Sequence, residues 1–304
     1  MTECRQNIDA FADLPGECTV VCHDAGAANV IVAGLHQSPR RSLRACMQGP
    51  AARIWETAFG SPAPFGTLQE ALAGGSFLLC GTGWASELEH QARLQARQAG
   101  IRSAALLDHW VNYPQRFVRN GETAMPDEIW VSDDDAMHLA QQAFPGLPLR
   151  QVENWYLRQQ LAGLAKPGID SVPELLYLAE PARDDWGGGV PGEFQALDYF
   201  VSALAWLDLP AQTGIRLRPH PSDPRGKYDQ WMRAHPELDI DLDDSPDMAS
   251  AIGRARWVAG CESYGLVLAL AAGREVFCTL PPWAPPCRLP QSGLVHLAAL
   301  EKTR

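Results

Sequence analysis

Short apolar runs of strand length recur along the chain, each followed by a polar turn and a longer segment with helical spacing. That alternation restricts the fold more than any other feature. Strands that are apolar on both faces need cover on both sides, and intervening helices supply it, so the pattern points to parallel sheets in an α/β protein. In the first half the strand-like runs are 18–23, 43–47, 76–80, 103–107, 128–132 and 149–152. Helical segments follow at 25–35, at 85–99 and after Ser132 or Asp133, either of which suits an N-cap. A further helix is expected at 154–164, ending in the breaker cluster Ala165-Lys-Pro-Gly168. The second half repeats the alternation, with strands at 175–179, 214–218, 238–242, 257–260 and 275–280. Its helices are expected at 193–207, 228–234, 246–254 and 263–272, with a short closing helix at 294–300.

The expected fold class is therefore α/β: two doubly wound Rossmann-like domains, residues 1–165 and 166–304, facing a cleft. A single large sheet is the alternative. At 304 residues the chain is long enough for two modest cores. Its 46% apolar and 20% charged content is that of a folded globular protein. A net charge of −11 argues against a nucleic-acid partner, which a phosphate-backbone binder would meet with a basic surface. No run of 18 apolar residues suggests a transmembrane segment. The segment 1–13 carries Glu3, Asp9 and Asp13 and lacks a basic-then-apolar leader, so a cytoplasmic protein is expected. The eight cysteines, at 4, 18, 22, 46, 80, 261, 278 and 287, include no C-x-x-C pair. They read as buried free thiols, and their spacing offers no zinc site; neither a metal nor a cofactor is expected.

Arg216-Leu-Arg-Pro-His-Pro-Ser-Asp223 is the most informative segment. A strand ends there in a turn whose prolines fix the backbone around His220. Arg216, Arg218, Arg225, Lys227 and Arg233 lie within 18 residues of an otherwise acidic chain and suit a phosphate. Arg218, Pro219, His220 and Ser222 are the ligand candidates, set against a plain capping turn. The second segment, Gly260-Cys-Glu-Ser-Tyr-Gly265, turns a strand directly into an apolar helix. Glu262, Ser263 and Tyr264 would stand at the helix start, where backbone N–H groups and the macrodipole attract anions. Ser263 would donate to a phosphate oxygen and Glu262 would accept from hydroxyls of ribose or base. A simple N-cap role for Ser263 is the alternative.

In the first half, Val21-Cys-His-Asp-Ala-Gly-Ala-Ala-Asn29 is another strand, turn and helix. Gly26 allows close approach of a ligand, Asn29 faces the same turn, and His23 and Asp24 bring titratable groups to the strand end. Capping is the competing role for Asp24. Thr82 and Gly83 belong to a third small-residue turn, Gly81-Thr-Gly-Trp-Ala-Ser86, whose helix carries Glu87 and Glu89. After the strand at 103–107 come Asp108, His109, Trp110, Asn112, Tyr113 and Arg116, an aromatic and polar mixture that suits a sugar ring. A polar loop over the core is the alternative. Asp239, Asp241, Asp243 and Asp244 read as solvated acids on an alternating strand. The dinucleotide fingerprint, the P-loop and the nucleophile elbow are all missing.

The Arg-Pro-His-Pro turn, with the strand leading into Glu262-Ser-Tyr-Gly-Leu266 and an Ala-rich helix ending in Ala272-Gly273, resembles GT-B glycosyltransferases. Within them the His-Pro element is similar to that of bacterial sialyltransferases and Kdo transferases, which use CMP-activated sugars. The resemblance implies a C-terminal nucleotide-sugar domain and an N-terminal acceptor domain. It also implies metal-independent inverting transfer of an acidic sugar to a glycan or protein acceptor. His220 would contact the donor phosphate, with Ser263 assisting. The acidic pair followed by glycine that carries the base in sialyltransferases is not found; His23-Asp24-Ala25-Gly26 and Asp108-His109 stand nearest, and Asp24 is chosen as base over Asp108. A nucleotide-sugar 2-epimerase, a polyol-phosphate transferase and a non-catalytic nucleotide- or sugar-binding subunit are the alternatives. The Pro- and Trp-rich stretch 281–287 is compatible with a cleft cover, a surface wrap or a partner contact.

Overall fold

A computed structural model describes residues 10–38, 43–164, 173–182 and 184–301. The chain divides into two compact units, residues 1–159 and 160–304. The expected boundary at residue 165, with its breaker cluster, lies outside the described residues, as does Cys4.

The first unit contains β1 (Cys18–Cys22), α1 (Ala25–Gln37), β2 (Arg44–Met47), α2 (Gly49–Phe59), α3 (Leu68–Leu72) and β3 (Phe77–Cys80). It continues with α4 (Leu88–Gln98), β4 (Arg102–Leu106), a small hairpin of β5 (Val118–Arg119) and β6 (Glu122–Thr123), and β7 (Glu128–Val131). Then follow α5 (Asp134–Ala143), β8 (Leu149–Gln151) and α6 (Trp155–Leu161), which begins in this unit. Six strands form one parallel sheet in the order β2-β1-β3-β4-β7-β8. Every residue of β1 and β3 is buried, as the unbroken apolar runs require of central strands covered on both faces. Phe11 meets Trp130 edge to face at 5.4 Å, and its ring lies so close to Gly34 of α1 that a Cβ there would stand 2.4 Å from it. Two helices were not foreseen. α2 opens on Gly49-Pro50, which reads as a breaker but suits a helix start, where proline's missing N–H costs nothing. α3 is a single short stretch capped by Thr67, whose hydroxyl accepts from the Glu70 amide.

The second unit contains β9 (Glu174–Leu178), α7 (Gly192–Ala203), β10 (Gly214–Arg218), α8 (Asp229–Ala234), β11 (Ile240–Leu242) and α9 (Met248–Arg254). β12 (Trp257–Gly260), α10 (Tyr264–Ala271), β13 (Glu275–Cys278), β14 (Leu294–His296) and α11 (Leu297–Glu301) complete it. The sheet is again parallel and six-stranded, in the order β11-β10-β9-β12-β13-β14. One correction concerns its edge. Residues 294–296, expected as helix, are a strand registered on β13 with Val276 opposite Leu294, and the helix is confined to α11.

In each sheet the strand order reverses beside the first strand of the unit. The reversal lies between β1 and β3 in the first unit and between β9 and β12 in the second. Loops leaving the carboxyl ends of those strands flank the crevice in which doubly wound sheets place ligands.

Candidate functional site

In the second unit, Glu180 follows β9 and Glu262, Ser263 and Tyr264 follow β12, at the point of reversal. Two glycines let α10 start there. A Cβ on Gly260 would stand 2.9 Å from the Leu178 carbonyl oxygen, and one on Gly265 2.5 Å from the Leu178 side chain. Ser263 occupies the N-cap position of α10 in extended conformation, but its side chain caps nothing. Its Oγ is buried and has no hydrogen-bond partner among the described residues. A buried hydroxyl left unpaired costs about 1–3 kcal/mol, and it sits among the N–H groups of a helix start, where an anion would pair with it.

Glu262 does not stand open to a ribose. Arg288 holds its carboxylate through Nε at 3.0 Å, through Nη2 and through its backbone N–H at 3.0 Å. The Glu262 amide in turn donates to Glu180 Oε2 at 3.1 Å. Burial first, and the neighbouring Glu262 charge next, push the Glu180 carboxyl above its ordinary range.

His220 is exposed after β10. The Ser222 amide donates to its Nδ1 at 3.1 Å, so the ring proton of the neutral imidazole sits on Nε2, which is thereby set as a donor. Ser222 Oγ lies 2.7 Å from the same Nδ1. The loop is braced by Asp223, which accepts from the His220 amide at 3.0 Å, Tyr228 at 3.0 Å and Lys227 at 2.7 Å. Burial alone would raise the Asp223 carboxyl; the hydrogen bonds from Lys227, Tyr228 and the His220 amide outweigh it and hold it below the usual range.

The basic cluster is largely neutralised from within. Arg216 pairs with Glu174 at 2.8 Å and with Asp243, and Arg218 pairs with Asp243 and donates to the Ser245 carbonyl oxygen at 3.0 Å. Alternation along β10 sends both arginine side chains to one face, where the Asp243 carboxylate is fully buried. Asp243 is therefore no solvated acid, while Asp239, Asp241 and Asp244 are exposed as expected. Arg218 is committed to Asp243, and Pro219 beside it is half-buried.

In the first unit, Asp24 is the N-cap residue of α1 by position, yet its side chain makes no cap hydrogen bond. Its carboxylate instead accepts from His23 Nδ1 and from the Trp84 amide, both at 2.8 Å. His23 donates its amide to Glu89 Oε1 at 2.8 Å, and its ring lies over Gly49, where a Cβ would come within 2.6 Å of Nε2. Gly83 is needed for the same arrangement, since a Cβ there would stand 2.1 Å from Asp24 Oδ2. Asp108 lies against the first turn of α1: a Cβ on Gly26 would stand 1.8 Å from its Oδ2. Its other oxygen accepts from Arg116 at 3.1 Å, and Arg116 also reaches the hydroxyl and carbonyl of Thr82. Asn29 is half-buried on α1.

The expected aromatic platform turns inward. Trp110 is buried with its Nε1 on Asp133, and Tyr113 is buried and stacked on Phe144 at 6.2 Å. Both rings belong to the core of this loop. His109 accepts the Trp110 amide on Nδ1, and Asn112, exposed with a positive φ of 58°, makes the sharp turn between them. The large exposed aromatic near this network is Trp84, 47% accessible, with the Arg119 guanidinium 5.1 Å from its ring.

Two groups, Glu180 and Arg288, escape the sequence reading, and a third, Glu89, is noted on its helix but given no role. Glu89 is 1% exposed, and burial raises its carboxyl above the ordinary range against the pull of the His23 amide. Its place on α4 next to the buried Leu88, with Arg93 one turn on, was the available signal. Glu180 and Arg288 lay in loops with no pattern to mark them. Among the described residues seven cysteines are free thiols, six of them buried and Cys287 partly exposed, in keeping with the thiol reading. The fold nevertheless gathers Cys278, Cys287 and His296, which are remote in sequence, with their ligand atoms within 4.8 Å of one another.

The architecture is the GT-B-like one of two Rossmann-type domains, each built on a six-stranded parallel sheet. Solved structures similar to the chain are GT-B-fold epimerases and glycosyltransferases. They include the UDP-GlcNAc 2-epimerase of Neisseria meningitidis bound to UDP-GlcNAc, with 10% identity, 94% of this chain and 90% of that one covered, and a TM-score of 0.57. The UDP-GlcNAc 2-epimerase of Methanocaldococcus jannaschii matches at 10% identity over 86% of this chain and 83% of that one, with a TM-score of 0.57. The glycotransferase of kitacinnamycin matches at 13% identity over 89% and 81%, with a TM-score of 0.51. At such identities the likeness is one of fold. No family model matches the chain, and no curated protein matches it in sequence. Among the described residues no helix is long and apolar enough to cross a membrane.

Proposed function

We propose that the protein is a nucleotide-sugar enzyme whose second unit binds the phosphates of the nucleotide at the start of α10, and that its reaction is 2-epimerisation of a UDP-linked sugar. The observation that carries the phosphate site is the unpaired, buried Ser263 hydroxyl at a helix N-terminus, at the reversal of the strand order. His220, with its proton set on Nε2, is the second donor in this reading. The whole-chain likeness to 2-epimerases, one of them bound to UDP-GlcNAc, favours epimerisation over transfer.

Inverting the carbon beside the anomeric centre balances if its proton is taken as the C1–oxygen bond to the nucleotide phosphate breaks, the C–H electron pair becoming a C1=C2 double bond. A proton then returns to the opposite face of C2 as the phosphate oxygen re-forms its bond to C1; one group takes the proton and one returns it. The first unit offers titratable groups suited to that task. Asp24 accepts from His23 Nδ1, which leaves Nε2 as the basic nitrogen, so His23 moves the proton and Asp24 orients and stabilises it. This reverses the roles that the sequence suggests for the pair. Glu89, its carboxyl raised by burial, is the nearby acid in this reading.

The test is incubation with UDP-GlcNAc in deuterated water without any acceptor, followed by proton NMR. Formation of the 2-epimer with deuterium at C2 is expected. Turnover that needs an acceptor hydroxyl and leaves C2 unlabelled would replace this reading with sugar transfer. Transfer of an acidic sugar from a CMP donor to a glycan or protein is the second reading, favoured by the Arg-Pro-His-Pro turn around His220. It shares the phosphate site and is separated by its nucleotide preference and its acceptor.

A further inference from the structure

We propose that Cys278, Cys287 and His296 form a binding site for a soft divalent metal ion, Zn²⁺ by its chemistry, which fastens the loop after β13 to the carboxyl edge of the second sheet. The site is carried by geometry. Cys278 ends β13 and His296 ends β14, and the parallel register places these two residues directly beside each other, with side chains on the same face. Cys287 returns to them from the loop between the two strands. The two sulfurs and an imidazole nitrogen lie within 4.8 Å of one another.

A tetrahedral zinc ion, with bonds of about 2.3 Å to sulfur and about 2.0 Å to nitrogen, separates its ligand atoms by roughly 3.3–3.8 Å. Lying within 4.8 Å of one another, the three atoms have at most about 1 Å to close. His296, exposed, and Cys287, on a loop, have the freedom to make that movement, while buried Cys278 is the fixed point. Two thiolates with one imidazole select zinc over magnesium or calcium, whose ligands are oxygens. On binding, each thiol gives up its proton to solvent and its sulfur lone pair forms the bond to the metal; no oxidant is involved. Three protein ligands leave a fourth position for water or another small ligand.

The loop itself gives the site a purpose. It carries Pro281, Pro282, Pro285 and Pro286, which cannot donate backbone hydrogen bonds, and Trp283, 56% exposed. Its attachments to the rest of the unit include Trp283 Nε1 on Gln195 and Arg288 on Glu262. Arg288 directly follows Cys287, so a metal at Cys287 holds that arginine in place. The proposal rests on three side chains of one unit and stands or falls independently of the nucleotide reading.

The test is metal content and cobalt spectroscopy of the full chain, purified anaerobically without chelator after growth with added zinc. About one zinc per chain by mass spectrometry is expected. Cobalt loading of the metal-free protein should give thiolate-to-cobalt charge-transfer bands in the near ultraviolet and the intense visible bands of a tetrahedral ion. Cys287→Ser and His296→Ala, both outside the core and checked for folding by circular dichroism, should each weaken zinc binding at least tenfold against a competing chelator. Cys46→Ser, a buried thiol in the other unit, should leave it unchanged. Absence of zinc and of the cobalt bands would overturn the proposal. So would zinc retained by the folded Cys287→Ser/His296→Ala double variant, or a Cys278–Cys287 disulfide in the anaerobically prepared protein.

Discussion

The two units use the same layout and treat its functional point in opposite ways. In the first, the start of α1 is closed by the protein's own anion: Asp108 lies against Gly26, and its second oxygen is tied to Arg116. In the second, the start of α10 carries a hydroxyl with no partner among the described residues, and the nearby Glu262 is drawn off by Arg288. A helix N-terminus favours negative charge; a carboxylate of the protein stands beside the first one, and an unpaired hydroxyl stands at the second. This contrast is what supports the proposed phosphate site at the start of α10.

The largest effect is expected where the second unit's cations are neutralised. Asp243→Ala leaves Arg216 and Arg218 without their shared, buried partner and should cost about 3–5 kcal/mol, read as a fall in the denaturant midpoint of that unit. Burial would raise the Asp243 carboxyl, but Ser245, Arg218 and Arg216 hold it below the usual range. Its ionised form is thus favoured by folding. The resulting stability is present above the ordinary carboxylate pKa and is lost as pH falls through the depressed folded value. Between those two values the wild type should lose stability with acid, and Asp243→Asn should flatten that slope.

Gly26→Ala attacks the closed helix start of the first unit. The new Cβ would overlap Asp108 Oδ2, so the carboxylate must move off Arg116, at a cost of about 1–3 kcal/mol in urea unfolding. Asp24→Asn should leave stability nearly intact and lower turnover at least a hundredfold, because an amide no longer secures the His23 tautomer. Near-normal turnover in that folded variant would remove the pair from the chemistry. Ser263→Ala should not destabilise the fold at all: no hydrogen bond is lost, and removing a buried unpaired hydroxyl should leave stability unchanged or raise it, by up to about 1–3 kcal/mol. Its effect should appear instead as roughly tenfold weaker nucleotide binding, about 1.4 kcal/mol.

The strands were legible because their signal is local. Runs such as Thr19-Val-Val and Phe77-Leu-Leu-Cys80 are apolar on both faces, and the reversal of strand order puts their loops at the ligand crevice. The legible parts of the site, the turns around His23, His220 and Ser263, follow from the same strand-to-helix junctions. What escaped depends on partners far away in sequence. Leu294, Leu297 and Leu300 have helical spacing, but pairing with β13 makes residues 294–296 a strand. Arg216 and Arg218 resemble a phosphate cradle until Asp243 is seen between them. Trp110 and Tyr113 look like a sugar platform until Asp133 and Phe144 draw them inward. The grouping of Cys278, Cys287 and His296 is created by strand register, which no short spacing displays.

The most direct test of the contrast between the two helix starts is calorimetric titration of UDP and CMP into the full chain and into its folded Ser263→Ala, His220→Ala and Gly26→Ala variants. Nucleotide should bind the wild type, with UDP preferred. Affinity should fall about tenfold in the two second-unit variants and stay within about twofold of wild type in Gly26→Ala. Wild-type affinity in both Ser263→Ala and His220→Ala, or loss of binding in Gly26→Ala alone, would contradict the assignment of the phosphate to the second unit.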